Sequence, residues 1–274
     1  MDRTEAELLT ALQGGDDAAL GELLRLNAPA IHRFGVQMCG DTEDAKDVVQ
    51  ETLLAAARGL RDFRSASSLS TWLFTIARSF CIKHRRTSKF APKRTVSLDD
   101  QVNAPEVVSP AARPDDEAAS HELGALLDEA ILSLDPANRE VLVLRDVEGL
   151  TAPEVAEIVG ISIDAVKSRL HRARSEVRAR LEPELMGRAP KIAKRPEPCP
   201  DVIALFSRYV EGDIGAAECA AMEQHVAGCA QCEAACGSLK TLLAMCRDRP
   251  APAITREVQE RIRGAVRIGR LSSS

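Results

Sequence analysis

Proline divides this chain before any other feature does. Nine of its fourteen prolines lie in two stretches, at Pro92, Pro105, Pro110 and Pro114, then at Pro183, Pro190, Pro196, Pro198 and Pro200. Proline lacks a backbone donor and clashes with the preceding helical turn, and neither stretch has apolar periodicity, so both read as linkers. The expected organisation is a domain at 1–90, an acidic linker at 91–119, a domain at 120–182, a linker at 183–198, a small domain at 199–248 and a basic tail at 249–274.

Each segment reads as helical. Aromatic residues are scarce (6 Phe, 1 Trp, 1 Tyr), and the 45% hydrophobic content comes mainly from Ala, Leu and Val. That composition suits helical bundles and not β-sandwiches. Asp16, Asp41 or Thr42, and Ser70 are expected caps for amphipathic runs near 17–28, 43–59 and 71–86. Asp135-Pro136 opens a further helix, Thr151-Ala152-Pro153-Glu154 has the form of a capping box, and Ser162 caps a run through Leu181. The expected class is all-α. No apolar run approaches the 18 or so residues that span a bilayer, and Met1-Asp2-Arg3-Thr4-Glu5 is too polar for a signal peptide. A cytoplasmic protein with no membrane contact is expected.

Net charge is −5, but its distribution says more than its sum. Residues 76–95 carry seven basic side chains, among them Arg78, Lys83, Arg85 and Arg86, and no acid; residues 164–180 are basic again. Two basic patches flanking an acidic spacer point to two contacts with a polyanion. The second patch lies in a pattern with its own mechanics. A short helix to Val159, a turn at Gly160-Ile161-Ser162 and a longer basic helix make a helix-turn-helix, with Val155, Ala156, Val159, Ile161, Val166 and Leu170 as its apolar seam. The groove-facing candidates are Ser162, Lys167, Ser168, Arg169, Arg172 and Arg174, because the start of such a helix reaches base edges and its arginines reach phosphates.

Residues 132–181, and Val166-Lys167-Ser168-Arg169-Leu170-His171-Arg172-Ala173-Arg174 in particular, closely resemble region 4 of extracytoplasmic-function (ECF) RNA polymerase sigma factors. The resemblance implies binding to the −35 promoter element and to the β flap of RNA polymerase. Asp44-Ala45-Lys46-Asp47-Val48-Val49-Gln50-Glu51-Thr52 resembles region 2.2, which implies a contact with the β′ clamp helices. Asp47, Gln50 and Glu51 stand at i, i+3 and i+4 on one helix face, an acidic and amide patch suited to a protein partner. Residues 63–86 resemble regions 2.3 and 2.4, which melt and read the −10 element, and the loop at about 61–69 corresponds to the loop that captures a flipped base. Trp72 beside the basic run supplies the stacking surface and cations that single-stranded DNA needs, although Trp72 equally suits a core position. Ser79 and Lys83 stand where the family often has Asn and Asp.

Six of the eight cysteines fall between residues 199 and 246. In a reducing compartment this favours metal or redox chemistry over structural disulfides. Cys199, then His225-x3-Cys229-x2-Cys232, supplies the one imidazole and three thiolates of a closed tetrahedral site, for which zinc is the natural ion. Cys236 is a further thiol on the same helical face as Cys229 and Cys232, and surplus thiolates also favour copper(I) or cadmium as signals. Cys219 and Cys246 read as extra to the motif. The segment looks like the zinc-binding anti-sigma fold, and the architecture is similar to CorE-type sigma factors with a cysteine-rich C-terminal domain.

The expected function is therefore an ECF-type sigma factor, not an enzyme, that directs core polymerase to promoters. It is expected to be a monomer when free, gated in cis by its metal- or thiol-responsive domain. A flexible linker at 182–198 spans only about 20–25 Å, which keeps the module at effective concentrations of order mM. A stand-alone helix-turn-helix repressor is the alternative and leaves residues 44–52 unexplained. A thiol oxidoreductase using Cys229 and Cys232 would need a βαβ pattern, which is absent.

Overall fold

A computed structural model of the chain describes residues 3–40, 42–63, 67–88, 114–185, 199–249 and 256–271. The described residues form helices and turns and no strand. They fall into two compact units, Met1–Pro110 with Pro250–Ser274, and Ala111–Arg249.

The first unit holds α1 (Glu5–Gln13), α2 (Asp17–Cys39), α3 (Thr42–Gly59), α4 (Leu69–Ser88) and α12 (Arg256–Leu271). Its core is built from the apolar stripes of α2, α3 and α4, including Leu20, Leu24, Ile31, Val48, Leu53, Leu73 and Ala77. Phe34 and Phe74 meet edge to face at 5.4 Å between centroids. A Cβ on Gly35 would lie 3.3 Å from Ala45 Cα, so glycine there permits the close crossing of α2 and α3.

Four features of this unit differ from the sequence expectations. Thr4 and Glu7 form a capping box that starts α1, a Thr-x-x-Glu signal that the reading from Asp16 onward passes over. α2 continues through Pro29 instead of stopping near residue 28. Proline removes one backbone bond there, but Ala28, Ile31 and Phe34 are buried on either side and hold the helix. α4 begins at Leu69, and the capping side chain is Ser68, whose Oγ accepts from Thr71 N at 3.1 Å, not Ser70. The stretch read as a basic tail forms α12, because Val258 and Ile262, four residues apart, are buried where the helix packs on α3 and α2.

The second unit holds α5 (Pro114–Ser133), α6 (Pro136–Leu142), α7 (Ala152–Val159), α8 (Ile163–Leu185), α9 (Val202–Val210), α10 (Ala216–Gly228) and α11 (Ala230–Arg247). α5 begins inside the stretch read as an acidic linker. Proline at its first position suits a helix N-terminus. α8 runs past Leu181 and tolerates Pro183 near its end. After α6 the chain makes one widened turn at Val143–Val147, where Glu148 N donates to Val143 O at 2.9 Å. The rest of the linkers, 89–113 and 186–198, lies outside the described residues.

Candidate functional site

α7 and α8 form the helix-turn-helix. Thr151 Oγ1 accepts from Glu154 N at 3.4 Å, and Glu154 Oε2 accepts from Thr151 N at 2.9 Å, so two otherwise unmatched donors are satisfied reciprocally. α7 ends at Gly160 with φ 75°, a left-handed conformation that favours glycine. Ser162 Oγ then accepts from Ala165 N at 3.2 Å and starts α8. Val155, Ala156, Val159, Val166 and Leu170 are buried along the seam, and Ile161 is half-buried. Ser162, Ser168 and Arg172 are exposed and Arg169 is half-buried. Ser168, Arg169 and Arg172 share one helical face, as a groove-reading surface requires. Lys167 is half-buried, and its Nζ lies 2.5 Å from Asp213 Oδ2, on the turn after α9.

Arg174 corrects the sequence reading. It is 0% exposed. Its Nε and Nη2 donate to the two Asp146 oxygens at 2.8 and 2.6 Å, and Nη2 also donates to Glu211 Oε1 at 2.8 Å. Arg145 Nε donates to Glu211 Oε2 at 3.0 Å, which completes a charge-balanced group of two arginines and two acids. Burial alone would lower the Arg174 pKa, but its hydrogen bonds and charge pairing with Asp146 and Glu211 raise it well above the ordinary value. So placed, Arg174 cannot reach a phosphate. A signal was present: Arg174 follows Leu170 by four and precedes Val177 by three, on the buried stripe of α8. Glu211 and Asp213 were missed, and no local pattern marks them, because Glu211 meets partners 37 and 66 residues away.

Cys199, His225, Cys229 and Cys232 come together, with their donor atoms all within 4.8 Å of one another. Cys199 precedes α9, His225 lies in the last turn of α10, Cys229 is both the end of α10 and the cap of α11, and Cys232 lies in the first turn of α11. Cys199 Sγ is 3.3 Å from His225 Nε2 and 3.0 Å from Cys232 Sγ, and His225 Nε2 is 3.2 Å from Cys232 Sγ. Three sulfurs and one imidazole nitrogen facing one point fit a tetrahedral ion whose bonds are about 2.0–2.3 Å long. The cluster is compatible with zinc. The protons are shared unequally: the Cys232 backbone N–H holds Cys229 below the usual thiol range, while burial and the neighbouring Cys199 and Cys229 push Cys232 up to about 12. Adjacent thiolates repel, and a cation would relieve that.

The other thiols of this segment stand outside the cluster. Cys236 is buried, and burial raises its pKa against the opposing charge of Lys240. Cys246 is fully buried, where burial and then the charge of Asp146 raise it strongly. Cys219 is half-buried on α10, raised by burial and by Glu223.

In the first unit Asp47 is exposed, and Gln50 and Glu51 are half-buried. Arg261 of α12 donates to Lys46 O at 2.7 Å, and its Nη1 lies 3.4 Å from Asp47 Oδ1. Glu51 faces α4: Lys83 Nζ donates to Oε1 at 2.7 Å, and His84 Nε2 lies 2.9 Å from Oε2. Burial raises the Glu51 carboxyl, but these two partners bring it below its ordinary value. Lys83 and Arg86 are exposed, and Arg78 and Arg85 are half-buried. Trp72 is half-buried, 5.4 Å from Phe63 between ring centroids, with its ring against Gly59, where a Cβ would come within 2.9 Å. It is thus neither a pure core residue nor a free stacking platform. Residues 64–66 of the loop at 61–69 lie outside the described residues.

Comparison with known proteins matches residues 23–90 to Sigma-70 region 2 and residues 125–177 to Sigma-70 region 4. Residues 199–232 match a zinc-finger family. The ECF RNA polymerase sigma factor SigM of Mycobacterium tuberculosis is 33% identical over 176 residues, 64% of this chain and 84% of that protein. SigL of the same species is 32% identical, covering 61% of this chain and 94% of its own length. SigW of Bacillus subtilis is 28% identical over 61% of this chain and 91% of its own. Among solved structures, CnrH in complex with the cytosolic domain of CnrY aligns over 64% of this chain and 95% of that one, at 28% identity and a TM-score of 0.46.

Proposed function

Because the chain belongs to the ECF RNA polymerase sigma factors, we propose that its cysteine-rich C-terminal module restrains promoter recognition in cis. The chain directs core RNA polymerase to promoters; both sigma regions are present, which disfavours the stand-alone repressor. In this reading, region 4 (α5–α8) serves the −35 element through Arg169 and Arg172 and also meets the β flap. α4 and Trp72 serve the −10 element, and Asp47, Gln50 and Glu51 serve the β′ clamp helices. The protein works in the cytoplasm as a monomer until it meets polymerase.

One observation carries the restraint: the turn after α9 engages the recognition helix through Lys167–Asp213 and is seated by Glu211 on buried Arg174. A lysine paired at 2.5 Å is withdrawn from DNA. α12, following the module, lies on α3 beside Asp47, which supports a second restraint on the polymerase-facing surface.

Cys199, His225, Cys229 and Cys232 would hold zinc, and copper(I) or cadmium would compete for the same thiolates as signals. Bound there, the ion supplies a fixed tetrahedral crosslink and no reaction chemistry. Cys199 stands just before the Asp201 cap of α9, and Glu211 ends that helix, so one nine-residue element joins the thiolates to the contact on region 4. Displacing Cys199 tilts α9 and withdraws Glu211 and Asp213 from α8.

The test is a full-length Asp213→Asn variant, which leaves the buried Glu211–Arg174 group intact, assayed with core polymerase for promoter-dependent transcription. Higher output than wild type is expected, at unchanged metal content. Equal or lower output would overturn the restraint.

A further inference from the structure

We propose that Cys39 and Cys81 form a second thiol site, a dithiol inside region 2 that hydroperoxides convert to a disulfide. It is independent of the metal cluster and of the restraint described above. The two residues lie 42 apart in sequence, and the packing of α2 on α4 brings their Sγ atoms to 3.9 Å; neither is in a disulfide. Cys39 is the last residue of α2 and is half-buried, whereas Cys81 is 2% exposed. The pair therefore has one sulfur that a small solute reaches and one held behind it.

A disulfide needs the sulfurs to close to about 2.05 Å. Cys39 is placed for that movement. It ends its helix, and Gly40 follows at φ 71° with its N–H donating to Val36 O at 3.0 Å, so a small shift there disturbs only the terminal turn. Cys81 sits mid-helix and stays fixed.

The chemistry balances with a hydroperoxide as oxidant. The Cys39 thiolate attacks the terminal peroxide oxygen; an S–O bond forms, the O–O bond breaks, and the leaving hydroxide or alkoxide takes up a proton. Cys81 then attacks the Cys39 sulfur; the S–S bond forms, the S–O bond breaks, and the Cys81 proton leaves with the hydroxyl as water. Two thiols lose two electrons, and hydrogen peroxide is reduced to two waters. The crosslink closes a loop that contains all of α3, including Asp47, Gln50 and Glu51. It also ties down α4 next to Lys83 and His84, which hold Glu51. Oxidation thus stiffens the surface read above as polymerase-facing.

The experiment treats full-length, zinc-supplemented protein with hydrogen peroxide and maps its peptides without reduction. A peptide pair linked through Cys39 and Cys81 is expected, with a rise of several degrees in the unfolding midpoint of the first unit. Reduction reverses both, and Cys39→Ser, at the accessible helix end, shows neither while folding normally. Recovery of Cys39 and Cys81 only as thiols, or only as separately oxidised acids, would overturn the proposal. So would the same midpoint rise in Cys39→Ser. Neither readout involves polymerase, so failure here leaves the sigma-factor reading standing.

Discussion

The C-terminal quarter meets the sigma regions in two places that differ in kind. On region 4, Glu211 enters a group in which the side chains of Arg174, Asp146 and Glu211 are 0%, 3% and 4% exposed. On region 2, α12 rests on apolar Val258 and Ile262, and its ion pair, Arg261 with Asp47, lies at the rim with 56% of the Asp47 side chain exposed. Buried charges are costly to separate, because each would be left desolvated and unpaired; rim charges rehydrate at little cost. The first contact is therefore specific and all-or-none, and the second is greasy, graded and easily released.

The largest effect that would break this comparison lies upstream of both contacts. If the four-ligand cluster organises α9–α11, chelation or Cys229→Ser empties the metal and melts those helices in a separate early transition, while α1–α4 persist. Metal analysis beside hydrogen exchange checks this; protected α9–α11 without metal would show that the module folds unaided.

Arg174→Met follows in size. It leaves Asp146 and Glu211 buried without their shared partner and should destabilise the second unit by about 3–5 kcal/mol in denaturant unfolding. An arginine that merely touched phosphate would change stability by about 0.5 kcal/mol or less. Ile262→Ala comes next, at about 2 kcal/mol or more of lost α12 packing. It should raise exchange in α12 and strengthen core polymerase binding, with no change at Glu211.

The smallest effects separate the two ion pairs. Asp213→Asn and Asp47→Asn each remove a partly exposed partner and should alter stability by about 1 kcal/mol or less. Their signatures differ. Asp213→Asn should tighten −35 DNA binding by freeing Lys167, and Asp47→Asn should weaken core polymerase binding. Raising salt from about 0.05 to 0.5 M should loosen α12 measurably more than the Glu211 contact, since screening acts on exposed charge. Equal salt dependence would erase the distinction.

Much of this was written in the sequence because it depends on near neighbours. The capping boxes at Thr151 and Thr4, the left-handed Gly160 and the apolar seam from Val155 to Leu170 each act within one or two helical turns, where residue spacing reports geometry. The His225–Cys229–Cys232 spacing is local in the same sense, and only Cys199 had to return from a distance. What spacing could not convey was which faces of these helices meet. Arg174 looked like one more basic residue of a recognition helix until Asp146, on the widened turn after α6, and Glu211, at the end of α9, enclosed it. The tail became a helix only because α2 and α3 offered Val258 and Ile262 a surface. Cys39 and Cys81 looked solitary until α2 packed on α4. Backbone preference and amphipathic period are properties of a segment and can be read along it; desolvation, charge pairing and thiol proximity belong to pairs of segments and exist only once the chain has packed.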